Sequence, residues 1–182
     1  MNQSSHSNAN QEKQPRKPKQ TRGQKRVEDL LAAAAAIFAE QGFEAATMTE
    51  IAAKAGASIG SLYQFFPSKD LIADAVHSQE AELLLKMLGE QGDESDGRAL
   101  GDVGDRLFVR FLDFINDHPA FVQLADIPDP KGAKKKALRA QMRAAIANLF
   151  VKAAPALPDD KAETVAILIL HLMKSAVAIR AE

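Results

Sequence analysis

Tyr63 and Gln64 stand side by side in a stretch that also holds Ser58, Ile59, Gly60, Ser61 and Lys69. A phenol, a carboxamide, hydroxyls and an ammonium are groups that bond phosphate oxygens and base edges, and the Gln64 amide can bond adenine in two places. Cations crowd the start of the chain. Lys13, Arg16, Lys17, Lys19, Arg22, Lys25 and Arg26 stand against Glu12 alone, a local charge of +6 that leaves −7 for the remainder of a chain of net charge −1. A basic arm on an acidic body fits a polyanion partner; the alternative is a solvated tail. Other chemistries lack their residues. Cysteine is absent, which excludes disulfides, thiolate metal sites and cysteine nucleophiles. The four histidines, His6, His77, His118 and His171, form no His-x-x-x-His or Glu-x-x-His pair. His118 has Asp113 and Asp117 nearby, but Asp117-His118-Pro119 reads first as a helix stop and restart, so no metal is assigned. There is no Gly-rich phosphate loop, nucleophile elbow or paired-carboxylate motif, so neither catalysis nor a cofactor is expected.

The composition is that of a globular protein, with 46% hydrophobic and 26% charged residues in 182. The apolar run Val165–Met173 is too short to span a bilayer, and the amino terminus lacks the apolar region of a secretory signal. The expectation is a soluble cytoplasmic protein without a membrane partner. His171 interrupts that run and reads as a core or interface histidine, with ligand contact as the second reading. Lys134-Lys135-Lys136 with Arg139 and Arg143 forms a basic patch, which on an exposed helix is usually a solvated face.

The elements that must carry these residues are all helical. Residues 1–20 are polar and Pro-containing, without apolar periodicity, and are expected to be disordered. From Arg22 to Gln41, Leu30, Leu31, Ala34, Ile37 and Phe38 recur at helical spacing; Gly42 supplies a left-handed cap and Phe43 its hydrophobic partner. Thr47-Met48-Thr49-Glu50 is a capping box that starts a second helix at Met48, ending near Ala55-Gly56. Ser58 caps a third, which stops before Pro67, and Ser68 caps a fourth running through Leu88. Gly89–Gly101 reads as a loop, Val103–Asp117 as a fifth helix, Pro119–Leu124 as a short sixth and Ile127–Gly132 as a break. Ala133–Ala153 fits a seventh helix, and an eighth follows Pro158 with Asp159 as its cap. With no strand alternation, the predicted fold is all-α: a basic arm over 1–21, an amino-terminal helical unit over 22–68 and a larger helical domain over 69–182.

Met48–Phe66 has the internal pattern of a helix-turn-helix. Ala52 is small where two helices cross, Gly56 sits in the turn, and Leu62 and Phe66 weight the inner face of the second helix. The alternative is an ordinary corner between two helices. The run from Ser58 to Lys69, Ser-Ile-Gly-Ser-Leu-Tyr-Gln-Phe-Phe-Pro-Ser-Lys, closely resembles the recognition-helix signature of the TetR family of bacterial transcriptional regulators. That family commonly reads Ser-x-Gly-Thr-Leu-Tyr-x-Tyr-Phe-x-Ser-Lys, so Ser61 stands for Thr and Phe65 for Tyr. Ile37–Phe43 and Met48–Gly56 are similar to the family's first two helices, and the resemblance covers about residues 22–77.

Gly60 and Ser61 are small enough for the helix start to approach DNA closely. Tyr63 is expected at a phosphate and Gln64 at base edges. Phe65 either contacts a thymine methyl or packs internally. Lys69 and the free N–H groups of the fourth helix are expected at a phosphate, as are Arg22, Lys25 and Arg26. Thr47 and Thr49 are expected to reach a phosphate, with a simple cap as the alternative for Thr47. Beyond this unit, helices 4 to 7 enclose an apolar interior whose expected lining is Leu84, Met87, Leu88, Phe108, Phe111, Leu112, Ile115, Phe121, Leu124, Met142, Ile146 and Phe150. Each is equally at home in a filled core. A cavity among them is what the resemblance implies, and its small-molecule effector would be largely apolar. The eighth helix is apolar nearly all round and calls for a second cover, such as a partner subunit's helix. The family dimerises through its last two long helices. Here only one such helix precedes Glu182, so either a final helix is missing or helix 7 is its partner. The resulting expectation is a ligand-responsive dimeric repressor on a palindromic operator. The alternative is a nucleoid-associated protein of the same architecture controlled by a protein partner.

Overall fold

The computed structural model describes residues 19–93, 97–125, 127 and 133–181. The basic arm up to residue 18, most of the 127–132 break and part of the 89–101 loop therefore lie outside the described residues. Eight helices follow in order: α1 Lys19–Ala45, α2 Met48–Lys54, α3 Ile59–Phe65, α4 Lys69–Asp93, α5 Leu100–Asp117, α6 Pro119–Leu124, α7 Ala133–Ala153 and α8 Asp159–Ala181. Among the described residues there is no strand, as the helical periodicities require.

Local chemistry sets most of these boundaries. Gly42 leaves helical geometry at φ 75°, ψ 175°, so α1 kinks there before a last turn to Ala45. A side chain would be strained at that φ, and its Cβ would lie 3.3 Å from Gln123 Oε1. Phe43 then packs back on Phe38, with ring centres 6.0 Å apart. At Thr47 the capping box is complete: its Oγ1 accepts from the Glu50 N–H and its own N–H donates to Glu50 Oε2 at 3.0 Å. Those bonds hold the Glu50 carboxyl below its usual range, Thr47's hydroxyl having the largest effect. Gly56, at φ 58°, makes the turn into α3.

Four boundaries differ from expectation, one of them α5, which begins at Leu100 inside the expected loop. α1 begins at Lys19, a turn earlier. α4 continues through Gly89 to Asp93, because Leu84, Leu88 and Gln91 bury one side of it and packing outweighs the glycine's poor helix propensity. Asp159 is the first residue of α8 and not its cap; the Pro158 carbonyl accepts from the N–H groups of Lys161 and Ala162, each at 3.0 Å.

The helices build two cores. Leu30, Ala34 and Phe38 of α1, Ile51 of α2, Leu62 of α3 and Ile72 and Val76 of α4 form the amino-terminal one. Leu84 and Leu88 of α4, Leu107 and Phe111 of α5, Ile146 and Leu149 of α7 and Ala166 and Met173 of α8 form the other. Two elements belong to both. α4 contributes Ile72 and Val76 to the first core and Ala81 and Leu84 to the second, and the short α6 contributes Ala120 and Leu124 to the first and Phe121 and Val122 to the second. By packing, the first two turns of α4 are part of the amino-terminal unit.

Asp159–Ile179 is, by length and composition, long and apolar enough to cross a membrane. In this fold Ala162, Ala166, Met173 and Val177 of α8 are buried within the bundle, and its closest packing partner is α7.

Candidate nucleic-acid interface and apolar cavity

Leu62, fully buried, and Phe66, nearly so, root α3 in the amino-terminal core. The opposite side of the helix is open. Ser58, Ile59, Gly60, Tyr63, Gln64 and Phe65 are exposed and Ser61 is half-buried. A Cβ built on Gly60 would meet no atom of the chain within 4 Å, so internal packing does not demand glycine there. Ser58 Oγ accepts from the Ser61 N–H at 3.2 Å and starts the helix. Phe65 is 39% exposed, which decides against the internal packing that its type allowed. The arrangement is a short helix presenting a small residue, a phenol and an amide on one outward side, with the Phe65 ring beside them.

Other residues expected at DNA flank this surface. Arg22 and Arg26 are one turn apart on α1 and have no hydrogen-bond or ion-pair partner among the described residues; Lys25 pairs with Asp29 at 3.6 Å. Thr49 is exposed at the start of α2, while the Thr47 hydroxyl is engaged in the cap. Lys54 pairs with Glu40 at 2.5 Å and Gln41 donates to Glu50 at 3.2 Å, tying α2 to α1.

Lys69 has another task than the one expected of it. Its Nζ donates to the carbonyls of Phe43, Glu44 and Ala46 at 2.7, 3.0 and 3.1 Å and lies 4.4 Å from the centre of the Phe43 ring. An ammonium has three N–H groups, and these three carbonyls use them all. The side chain is therefore a latch closing the end of α1, which leaves it no donor for a phosphate.

In the carboxy-terminal core a cavity of about 450 Å³ lies between α4, α5, α6, α7 and α8, within the size range of small-molecule sites. Of the residues expected to line it, Phe111, Phe121 and Met142 do. Leu84, Leu88, Ile115 and Ile146 are buried in the packed core, Met87 packs against that core, and Phe108 and Leu112 are exposed on α5. The lining has residues that periodicity did not reveal: His77 of α4, Leu138 of α7, Ile167, Leu170, Met173 and Val177 of α8, and a cationic set, Lys135, Arg139 and Arg143 with Lys174 and His171. Spacing held the signal. Residues 135, 139 and 143 repeat every fourth position and share one helix face, which turns what read as a solvated basic run toward the cavity.

His77 is stacked on Phe121, with ring centres 5.2 Å apart and planes 12° apart. Burial, and then the nearby Lys135 charge, push its pKa down to about 4, so the ring is neutral. His171 Nδ1 donates to the Ile167 carbonyl of its own helix at 2.7 Å, so Nδ1 carries the proton. His118 ion-pairs with Glu80 of α4 and stacks on Phe114 at 4.2 Å, joining α4 to the α5–α6 corner. Among the described residues no group of three or more His, Asp or Glu is placed to hold a metal.

Residues 30–76 match the family model described as bacterial regulatory proteins, tetR family, and residues 100–182 match a tetracyclin repressor-like, C-terminal domain model. Together they take in most of the chain. The chain belongs to the TetR family. No curated protein matches it, but solved structures share the fold. A protein from Mesorhizobium loti assigned to this family of transcriptional regulators aligns with TM-score 0.66 at 20% identity, over 86% of this chain and 85% of that one. SmeT in complex with triclosan aligns with TM-score 0.63 at 16% identity, over 85% and 79%. A gamma-butyrolactone receptor described as ArpA-like aligns with TM-score 0.58 at 24% identity, over 88% and 80%. This TetR-family chain thus has the helix-turn-helix unit and the helical carboxy-terminal domain of a transcriptional regulator, a family that is generally non-enzymatic.

Proposed function

We propose that this TetR-family protein is a repressor that binds a roughly palindromic operator as a homodimer and releases it when a small, largely apolar molecule enters the cavity. The open side of α3 carries the reading. Tyr63 meets a phosphate, Gln64 reads base edges, and Gly60 and Ser61 let the helix start approach the groove. Arg22, Lys25, Arg26, Thr49 and the α2 start under Thr47 hold the flanking backbone, with Ser58 and Ile59 at the groove's edge.

Two elements connect cavity and reading head. Phe121 lines the cavity from α6, while Ala120 and Leu124 of the same six-residue helix pack in the amino-terminal core. His77 lines it one residue after Val76, which is buried in that core. A ligand that displaces Phe121 or His77 moves α6 or α4, on which α1 packs, and α1 in turn carries α2 and, through it, α3. It shifts the population toward a head separation that no longer fits the operator, to the extent that it binds that state better.

Dimerisation is read from α8. Leu168, Leu172 and Ile179 are 60%, 59% and 73% exposed and follow one another around one side of the helix, with Ser175 between them. Ala166 is fully buried inside the subunit and Ala178 lines the cavity, so the small residue available to the contact on this side is Ser175. A second copy covers this apolar row more naturally than water does. Neighbours of the same fold that were solved with triclosan or described as a gamma-butyrolactone receptor support an effector-controlled reading.

Selection from random duplexes tests the proposal. The expected product is a two-fold repeated site with half-site centres about 34–36 Å apart or a multiple of that. Equal affinity for every duplex would end the repressor reading in favour of a sequence-independent, architectural role.

A further inference from the structure

The cavity is apolar at its base and cationic at its mouth. Phe111, Phe121, Met142 and Met173 are buried and form the floor, whereas Arg139, Lys174 and His171 are exposed and Arg143 is half-buried. Among the described residues no Asp or Glu lines the cavity. The carboxylate that bears on His77 from α4, Asp74, is ion-paired with Lys134. Lys135 is committed to the carbonyls of Ala125 and Ile127, at 2.8 and 2.5 Å. Arg139, Arg143 and Lys174 have no hydrogen-bond or ion-pair partner among the described residues. Arg139 and Arg143 are one turn apart on α7 and line the cavity together with Leu138 and Met142 of the same helix. An arginine pair of this kind suits the planar, two-oxygen shape of a carboxylate.

We propose that this cavity takes an organic carboxylate with an apolar body, its carboxylate held at the mouth by Arg139 and Arg143 with Lys174 facing them from α8. This assignment rests on the reading of the cavity as an effector site and narrows it: the effector is an anionic amphiphile and not simply an apolar molecule. The apolar body lies over Phe111, Phe121 and Met173, and so presses on the α6 residue whose helix supports the reading head. His171 also lines the cavity from α8.

The test compares three probes of one chain length on the full-length protein by titration calorimetry, all below their micellar concentrations: decanoate, 1-decanol and decyltrimethylammonium. Decanoate is expected to bind at least about tenfold more tightly than decanol, and the cation more weakly still, since a charge-assisted bidentate pair is the strong form of hydrogen bond. In Arg139→Gln/Arg143→Gln the decanoate advantage should disappear while decanol affinity stays, and unchanged decanol binding shows that the double variant is folded. Added salt should weaken decanoate and leave decanol alone. Equal binding of decanoate and decanol by the wild type, or a decanoate advantage that survives in the double variant, overturns the assignment. Operator affinity, measured in parallel, separates the two layers. Selective decanoate binding that leaves operator affinity unchanged upholds the anion site and sinks the effector reading. Decanol that binds as well as decanoate and releases the operator does the reverse, and binding by none of the three defeats both.

Discussion

Lys69 Nζ stands 2.7 Å from the Phe43 carbonyl oxygen and 4.4 Å from the centre of the Phe43 ring, so one ammonium from the first residue of α4 closes the last turn of α1. Lys69→Met keeps the stem but leaves the carbonyls of Phe43, Glu44 and Ala46 without that donor. Hydrogen bonds to a charged group contribute roughly 1.5–3 kcal/mol, and a loss of about 2–3 kcal/mol of stability is expected by denaturant titration. If Lys69 held a phosphate, its removal would lower the salt slope of DNA binding by about one. The expected slope is unchanged.

Tyr63→Phe and Gln64→Ala separate two kinds of contact on one exposed face. Losing the phenolic hydroxyl should weaken operator and random duplex alike. Losing the Gln64 amide should cost about 1–3 kcal/mol of discrimination and leave random-duplex binding near its original value. Paired binding isotherms on the two DNAs check both; a Gln64→Ala loss of equal size on each would remove Gln64 from the base edges.

His77 makes stability depend on pH in a definite window. Its pKa in the folded chain is lowered to about 4 from the ordinary histidine value of 6.5, so below 6.5 the unfolded state takes up a proton that the folded state refuses. Stability is therefore complete above about pH 6.5 and is lost as pH falls toward 4. At pH 5 the loss from this one group is about 2 kcal/mol. His77→Phe should flatten this part of the profile, as read from denaturant midpoints at pH 7 and pH 5, while keeping a ring against Phe121.

Leu168→Glu and Leu172→Glu each place a charge in the exposed apolar row of α8. Because both positions are well over half exposed in the single chain, the substitutions should leave the fold intact, with unchanged helical circular dichroism, and yield monomers in sedimentation. Operator affinity should drop with the loss of the second head. Folded dimers in both variants would move the subunit contact to another surface.

The recognition unit was legible because its rules are local. A capping box at Thr47–Glu50, glycine at the turn, and Leu62 and Phe66 four apart all act within a few residues of themselves, and the helix-turn-helix followed from them. The reach of Lys69 was not. Its partners lie more than twenty residues upstream, and a lysine at a helix start looks the same whether it serves a phosphate or three carbonyls. Glu80 as the partner of His118 was hidden for the same reason: Asp113 and Asp117 were close in sequence, but the α4 residue is the one that the fold brings against the ring.

The sequence by itself determined the helices, the family and the polar face of α3, since periodicity, caps and turn residues are properties of neighbours along the chain. Tertiary structure alone decided which apolar residues enclose space and which fill it. Leu84 and Ile146 look like Met142 in any helical pattern, yet the first two are packed solid and the third faces the cavity. It also decided that the basic run on α7 turns Arg139 and Arg143 toward that cavity. A face shared every fourth residue says that side chains point the same way. Whether that way is water or a neighbouring helix depends on how α7 lies against α4 and α8, a matter of contacts between segments far apart in the chain.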